Sequence, residues 1–264
     1  MRNAIKVVIL CGGAGTRMKE ETDFRPKSMV KIGTKPIIWH IMKIYAYYGF
    51  TDFVLCLGYK GEMIKDYFYH YSLLNNDFTV QLGNHKNIEI HSKNQEEDWR
   101  ITLVDTGEKA LKGARIKRIE KYINTDIFML TYGDGVADIN IADLLSFHHK
   151  HKRIATVTGV RPPSRFGALK VKGGKVFAFV EKPQTSQGLV NGGFFVLHRK
   201  IFRYLVDRDD CDFEKGILGE LAKENELMLY EHKGEWECMD TFRDLEYLNN
   251  VWQERKAFWK VWHD

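Results

Sequence analysis

Cysteine is scarce in this sequence, and none of its four cysteines (Cys11, Cys56, Cys211, Cys238) stands in a CxxC pair. That argues against a structural zinc site or a disulfide framework and for reduced thiols in a cytoplasmic protein. No stretch approaches the roughly 18 apolar residues of a membrane span, so no membrane partner is expected. The opening MRNAIKVVILCGG has an apolar run too short for a signal peptide, and it runs straight into glycines, which reads as a first strand. Internal repeats and low-complexity linkers are absent as well. Charge of one sign is not concentrated: 40 Lys and Arg are interleaved with 35 Asp and Glu, for a net +5. With no RNP-like or zinc-finger pattern beside it, that balance suits an anionic small substrate, and no nucleic-acid partner is assigned.

What is present is an ordinary globular composition, 44% hydrophobic over 264 residues, enough for one domain with a sizeable core. KVVIL (6–10) is the short, fully apolar, β-branched run of a central parallel strand. KPIIWHIMKIYAYYGF has helical apolar spacing, with Pro36 where a helix can begin and Gly49 where one can end. DFVLCLGY, WRITLVDTG and DIFMLTYGDG read as further strands, with helices in GEMIKDYFYHY and GARIKRIEKYI between them. The alternation predicts an α/β fold, a mixed, mostly parallel central sheet flanked by helices. Beyond residue 150 the closely spaced strands IATVTGV, GALKVKGGKVFAFVEK and VNGGFFVL point to a mixed sheet or an antiparallel flap on that core. Helices around 213–224 and 241–253 flank a strand at LMLYEH. The expected organisation is a single domain, 1–264, with halves at 1–150 and 151–264.

The stretch LCGGAGTRMKEETDFRPKSM (10–29) places three glycines, an arginine and a proline-preceded lysine directly behind the first strand. It fails as a P-loop, because no Gly-Lys-Ser/Thr follows. It also fails as a dinucleotide fingerprint, because the third glycine position falls on Met18. A glycine-rich strand-ending turn is the plain alternative. Against it, the loop leaves the carboxyl end of the first strand, where open α/β sheets bind ligands, and bare backbone N–H groups can cradle phosphate oxygens. Arg17 offers a planar fork and Lys27 a compact charge, a pairing suited to a polyphosphate. Asp134, in Tyr-Gly-Asp-Gly after an apolar strand, is either a turn residue or a ligand for a divalent ion at the same sheet edge. Asp240, in Met-Asp-Thr, reads on its own as a helix cap, a role Thr241 could equally fill.

These segments, taken together, resemble the sugar-1-phosphate nucleotidylyltransferases, and within them the glucose-1-phosphate cytidylyltransferases. The resemblance rests on GGxGTRM followed by ETxxRPKxMVxIGxKPIIWHIMK. It continues in order through LVDTG, TYGDGVAD, RFGAL, EKP, NGGFFVL, MDTFRD and FWKVW, across nearly the whole chain. It implies a Rossmann-like nucleotidyltransferase fold with a small antiparallel sugar-binding subregion. The implied substrates are CTP and a sugar 1-phosphate, with Mg²⁺ as cofactor held by Asp134 and Asp240. Arg17, Lys27 and Lys182 are implied as the catalytic cations. Leu10, Gly12, Gly13, Gly15, Thr16, Thr106, Gly107 and Arg115 are implied around the nucleotide, and Gly167, Glu181, Lys182, Asn191 and Gly192 around the sugar phosphate. Work in polysaccharide deoxysugar synthesis and a homo-oligomeric state follow from the same resemblance.

No serine or cysteine nucleophile is required by this chemistry, so the cysteines and the HHKH cluster at 148–151 are read as structural or solvated. The chain departs from the family pattern at three places. Lys112-Gly113-Ala114-Arg115 stands for Thr-Gly-Gly-Arg, Arg25-Pro26-Lys27-Ser28 for Lys-Pro-Lys-Pro, and Glu214 lacks its preceding tryptophan. The closing AFWKVW either folds back on the core or is buried against another subunit, and the family's oligomeric habit favours the second.

Overall fold

The computed structural model describes residues 5–83, 88–92, 96, 98–162, 168–172, 175–180 and 188–263. Gly167, Glu181 and Lys182, with the neighbouring Arg165 and Pro183, lie outside the described residues. The main sheet contains β1 (Lys6–Leu10), β2 (Asp52–Leu57), β3 (Arg100–Asp105), β4 (Ile127–Tyr132), β5 (Ala155–Val160), β6 (Val190–His198) and β7 (Leu227–Glu231). Their spatial order is β7-β5-β6-β4-β1-β2-β3. β6 runs antiparallel to both neighbours, and the remaining pairings are parallel. The sheet therefore draws on both halves of the chain.

Alternation along the central strands fills two cores. Val7, Ile9, Phe53, Leu55, Met129, Phe194 and Val196 point into one, while Val8, Val54, Cys56, Phe128, Leu130, Phe195 and Leu197 point into the other. Both faces of a sheet with this pattern must be covered, which accounts for its three layers. The longer helices are α1 (Ile37–Tyr47), α2 (Gly61–Tyr69), α3 (Lys112–Arg118), α4 (Ile141–His151) and α5 (Phe242–Gln253). α1 starts after Pro36 (φ −66°) and ends before Gly49 (φ +83°), and it buries Ile38, Ile41, Met42 and Tyr45 against the first core. α3 delivers Ala114 and Ile116 to the second. The region expected as a helix over 213–224 is a wide π-type turn, Phe213–Leu218, followed by a short α-helix, Gly219–Lys223. Strands Ala168–Lys172 and Lys175–Val180 form a separate antiparallel pair.

The C-terminal aromatics correct the expectation that favoured a subunit interface. Trp259 is fully buried and Trp262 is 7% exposed, both inside the first core. The Trp259 indole N–H donates to His40 Nδ1 (3.3 Å), and Trp262 meets Trp39 edge-on at 5.8 Å. The burial of both indoles is thus accounted for within one chain. Among the described residues no helix is long and apolar enough to cross a membrane.

Candidate active site

β1 connects to β2 on one side of the sheet, whereas β4 lies on its other side, so the strand order reverses between β1 and β4. Ligands of open α/β sheets bind at the carboxyl ends of strands flanking such a reversal. Here that position is a cleft of about 360 Å³, lined by the glycine loop, Arg17, Lys27, Tyr132, Gly133, Asp134 and Asp240. The two strand ends touch directly: the Gly133 N–H donates to Leu10 O at 3.1 Å, and a Cβ on Gly133 would lie 2.9 Å from that oxygen. Only glycine fits so close an approach.

The glycine loop is held from behind and open in front. Gly12 is buried, while Gly13, Thr16 and Arg17 are exposed. Gly15 takes the left-handed conformation (φ +62°) that turns the chain into a short 3₁₀ turn, Thr16–Met18. The fully buried Met18 anchors that turn, and the Thr22 hydroxyl donates to Gly15 O (3.1 Å) and Met18 O (2.9 Å). Pro26, extended at φ −66° and ψ 148°, then leads into the turn Lys27–Met29 that places Lys27 in the cleft.

Lys27 is the centre of the charge arrangement. Its ammonium donates to Asp134 Oδ2 and Asp240 Oδ1, each at 2.6 Å, and its side chain is only 13% exposed. Burial alone would lower its pKa, but the carboxylate of Asp134, Cys238 and the hydrogen bonds to both aspartates outweigh this and raise it above lysine's ordinary value. Arg17 Nη1 pairs with the other Asp240 oxygen at 2.7 Å, with most of its own side chain in solvent.

Asp240 reaches Asp134 through a strand pair that the sequence reading missed. Gly135–Ala137 pairs antiparallel with Trp236–Cys238, and the Met239 N–H donates to Asp134 O at 2.9 Å. The capping question is settled by the same turn. Thr241 is the N-cap of α5: its hydroxyl accepts from the Asp244 N–H (3.3 Å), and Asp244 Oδ2 accepts from the N–H groups of Thr241 (2.8 Å) and Asp240 (3.0 Å). The Asp240 carboxylate is thus left for Lys27 and Arg17. Thr241→Ala should destabilise the fold by about 1 kcal/mol in urea unfolding, the cost of a lost cap. Asp240→Asn should leave that midpoint nearly in place and cost activity instead.

Cys238 differs from the other three cysteines in its surroundings. Cys11, Cys56 and Cys211 are buried, but the partly buried Cys238 has its sulfur within 4.8 Å of carboxylate oxygens of both Asp134 and Asp240. Burial, then Asp134 beside it, pushes its thiol up in pKa. The histidine cluster is structural: the buried His148 and its neighbour His151 both hydrogen-bond the Thr156 hydroxyl, at 2.8 and 2.7 Å.

Arg115 sits in the cleft wall, but it is 4% exposed and its N–H groups turn to the protein. They donate to Leu57 O, Thr106 Oγ1, Gly107 O, Gly12 O and Glu108 O at 2.8–3.1 Å. Thr106 is fully buried and donates its own hydroxyl to Leu57 O at 2.6 Å. Arg115 and Thr106 therefore tie the loops after β1 and β3 to the end of β2. On the other side Asn191 is exposed at the start of β6. A Cβ on Gly192 would lie 2.5 Å from Val160 Cγ1, so that glycine is required by packing between strands.

The nucleotidyl transferase family profile matches residues 6–256. The chain belongs to the nucleotidyl transferase family. Among its relatives, the glucose-1-phosphate cytidylyltransferase of Salmonella typhimurium is 48% identical over 259 residues, covering 98% of this chain and 100% of that protein. That of Salmonella typhi matches with the same identity and coverage. A solved UDP-glucose pyrophosphorylase in complex with UDP-glucose shares the nucleotidyl transferase fold, with a TM-score of 0.68 at 18% identity over 96% of this chain and 99% of that one.

Proposed function

We propose that this nucleotidyl transferase is a glucose-1-phosphate cytidylyltransferase. It transfers a cytidylyl group from CTP to glucose 1-phosphate, releasing pyrophosphate and forming CDP-glucose. The observation that carries this reading is the 48% identity to cytidylyltransferases along the whole of their length.

In the reaction a sugar-phosphate oxygen attacks the α-phosphorus of CTP. The new P–O bond forms as the α–β bridging bond breaks, and pyrophosphate leaves with the electron pair. The attacking oxygen is already anionic, so no general base is needed and catalysis is positioning plus charge neutralisation. The exposed loop at Gly13–Thr16 would cradle the triphosphate, with Arg17 and Lys27 balancing its charge. Lys182, preceded by Glu181 and following Gly167 in the sequence, is proposed to take the sugar phosphate, and Asn191 a hexose hydroxyl. Arg115 and Thr106 would keep the loops after β1 and β3 in register with the end of β2 behind the nucleotide.

The family generally works with a divalent metal, and the donor set fits one. Two carboxylates from distant segments converge on a single cation, the Lys27 ammonium, at 2.6 Å each. Oxygen donors of this kind suit Mg²⁺, which takes one or two protein carboxylates and completes its shell with phosphate and water. Asp134 and Asp240 would hold it, and when bound it supplies neutralisation of the triphosphate.

Pyrophosphate release, measured across CTP, UTP, dTTP, GTP and ATP with several sugar 1-phosphates and Mg²⁺, tests the proposal. CTP with glucose 1-phosphate should give the highest kcat/KM. Equal rates with CTP and UTP would overturn the base assignment. No release with any pair would leave a binding module of the same fold.

A further inference from the structure

Four side chains from four segments meet beside the cleft in an arrangement that the charge cluster does not use. Tyr132, the last residue of β4, donates its hydroxyl proton to Glu214 Oε1 at 2.6 Å and accepts from Asn191 Nδ2 at 3.1 Å. Lys112, at the start of α3, donates to Glu214 Oε2 at 2.7 Å and lies 4.3 Å from the centre of the Tyr132 ring. The ring in turn packs on Gly193, where a Cβ would fall 2.9 Å from Tyr132 Cδ2 and φ is +82°.

The consequence falls on Asn191. Its Oδ1 accepts from the Gly193 N–H at 2.9 Å, and its Nδ2 is bound to the Tyr132 hydroxyl, with Glu214 Oε1 farther off at 3.5 Å on the same side. An amide fastened at both ends has one orientation, with one N–H and one oxygen lone pair left over. A hexose hydroxyl, which donates and accepts, matches that pair.

We propose that Tyr132, locked by Glu214 and Lys112, is a positioning residue for sugar specificity: it fixes the Asn191 amide so that only a hydroxyl-bearing carbon of the sugar phosphate is accepted there. This rests on the cytidylyltransferase reading above. The Glu214 carboxylate keeps the tyrosine oxygen turned toward Asn191 as an acceptor, and Lys112 keeps Glu214 in place by its charge and by covering the ring. A misplaced amide loses most against the natural hydroxyl, because a site built to pair a polar group discriminates strongly only while its own partners are fixed.

The test compares Tyr132→Phe, Glu214→Gln and Glu214→Leu with the unaltered enzyme, using glucose 1-phosphate and its monodeoxy analogues. Tyr132→Phe should raise KM for glucose 1-phosphate about tenfold, the scale of one lost hydrogen bond, with KM for CTP within about twofold. For one deoxy analogue the kcat/KM disadvantage against glucose 1-phosphate should shrink by a similar factor. Glu214→Gln, which still accepts from Tyr132, should retain more discrimination than Glu214→Leu. A Tyr132→Phe enzyme with unchanged discrimination across the panel, or with its KM effect on CTP, would overturn the proposal while the functional reading stood. An unaltered enzyme inactive with every sugar phosphate would overturn both.

Discussion

Asp134→Asn should lower kcat/KM by about 10² to 10³, the scale of removing one electrostatic stabiliser, while the protein stays folded. The substitution keeps the shape and one hydrogen-bond acceptor for Lys27 but removes a unit of negative charge. Lys27 keeps its second partner, Asp240 Oδ1 at 2.6 Å, so no buried ammonium is left without a counter-charge. The melting temperature should therefore move little. The loss should appear in steady-state pyrophosphate release, together with a higher Mg²⁺ concentration for half-maximal activity. An Asp134→Asn enzyme within about threefold of the unaltered rate, at the same Mg²⁺ dependence, would remove Asp134 from the chemistry.

Much of the frame was legible because it follows from local pattern. KVVIL is apolar at every position after its lysine, and in the sheet its residues fill both cores. Pro36 and Gly49 mark α1 because each acts on the backbone on its own, one by fixing φ and the other by freeing it. The glycine loop could be placed at the carboxyl edge of the sheet for the same reason. What stayed hidden depends on segments that meet only in the folded chain. Nothing near Asp240 shows that Trp236–Cys238 pairs with Gly135–Ala137, yet that pairing brings the two aspartates and Cys238 together. The resemblance alone put Arg115 beside the nucleotide, and its sequence neighbours do not show which carbonyls take its N–H groups. Those carbonyls come from the end of β2 and from the loops after β1 and β3. The one available signal for Thr241 was the Thr-x-x-Asp spacing, which matches a capping box and left Asp240 for another role.

The C-terminal tail makes the second large prediction, on stability. Trp259→Ala should cost about 3–5 kcal/mol, the range for deleting a large aromatic from a packed core. Trp259 stacks on Trp252 (6.2 Å between centroids), meets Phe258 edge-on (5.0 Å) and donates to His40 Nδ1, so its loss opens a cavity and removes a hydrogen bond to a buried ring. At about 2–4 °C per kcal/mol for a chain of this size, Tm should fall by roughly 10 °C. His40 supplies an independent readout. Its Nε2 lies 3.0 Å from Ile32 O, and burial lowers its pKa to about 4. Between its unfolded value near 6.5 and that folded value, the unfolded chain takes up a proton that the folded chain refuses. Stability should therefore fall as pH drops from about 6.5 toward 4, and be insensitive to this group above that window. Opening the core at Trp259 lets water reach His40 and raises its folded pKa, so the acid dependence of the urea midpoint should be shallower in Trp259→Ala. If the variant unfolds within about 1 kcal/mol of the unaltered protein, well short of the cost of an aromatic cavity, the buried tail is not what holds this side of the core, and the aromatics would again be candidates for a contact between subunits.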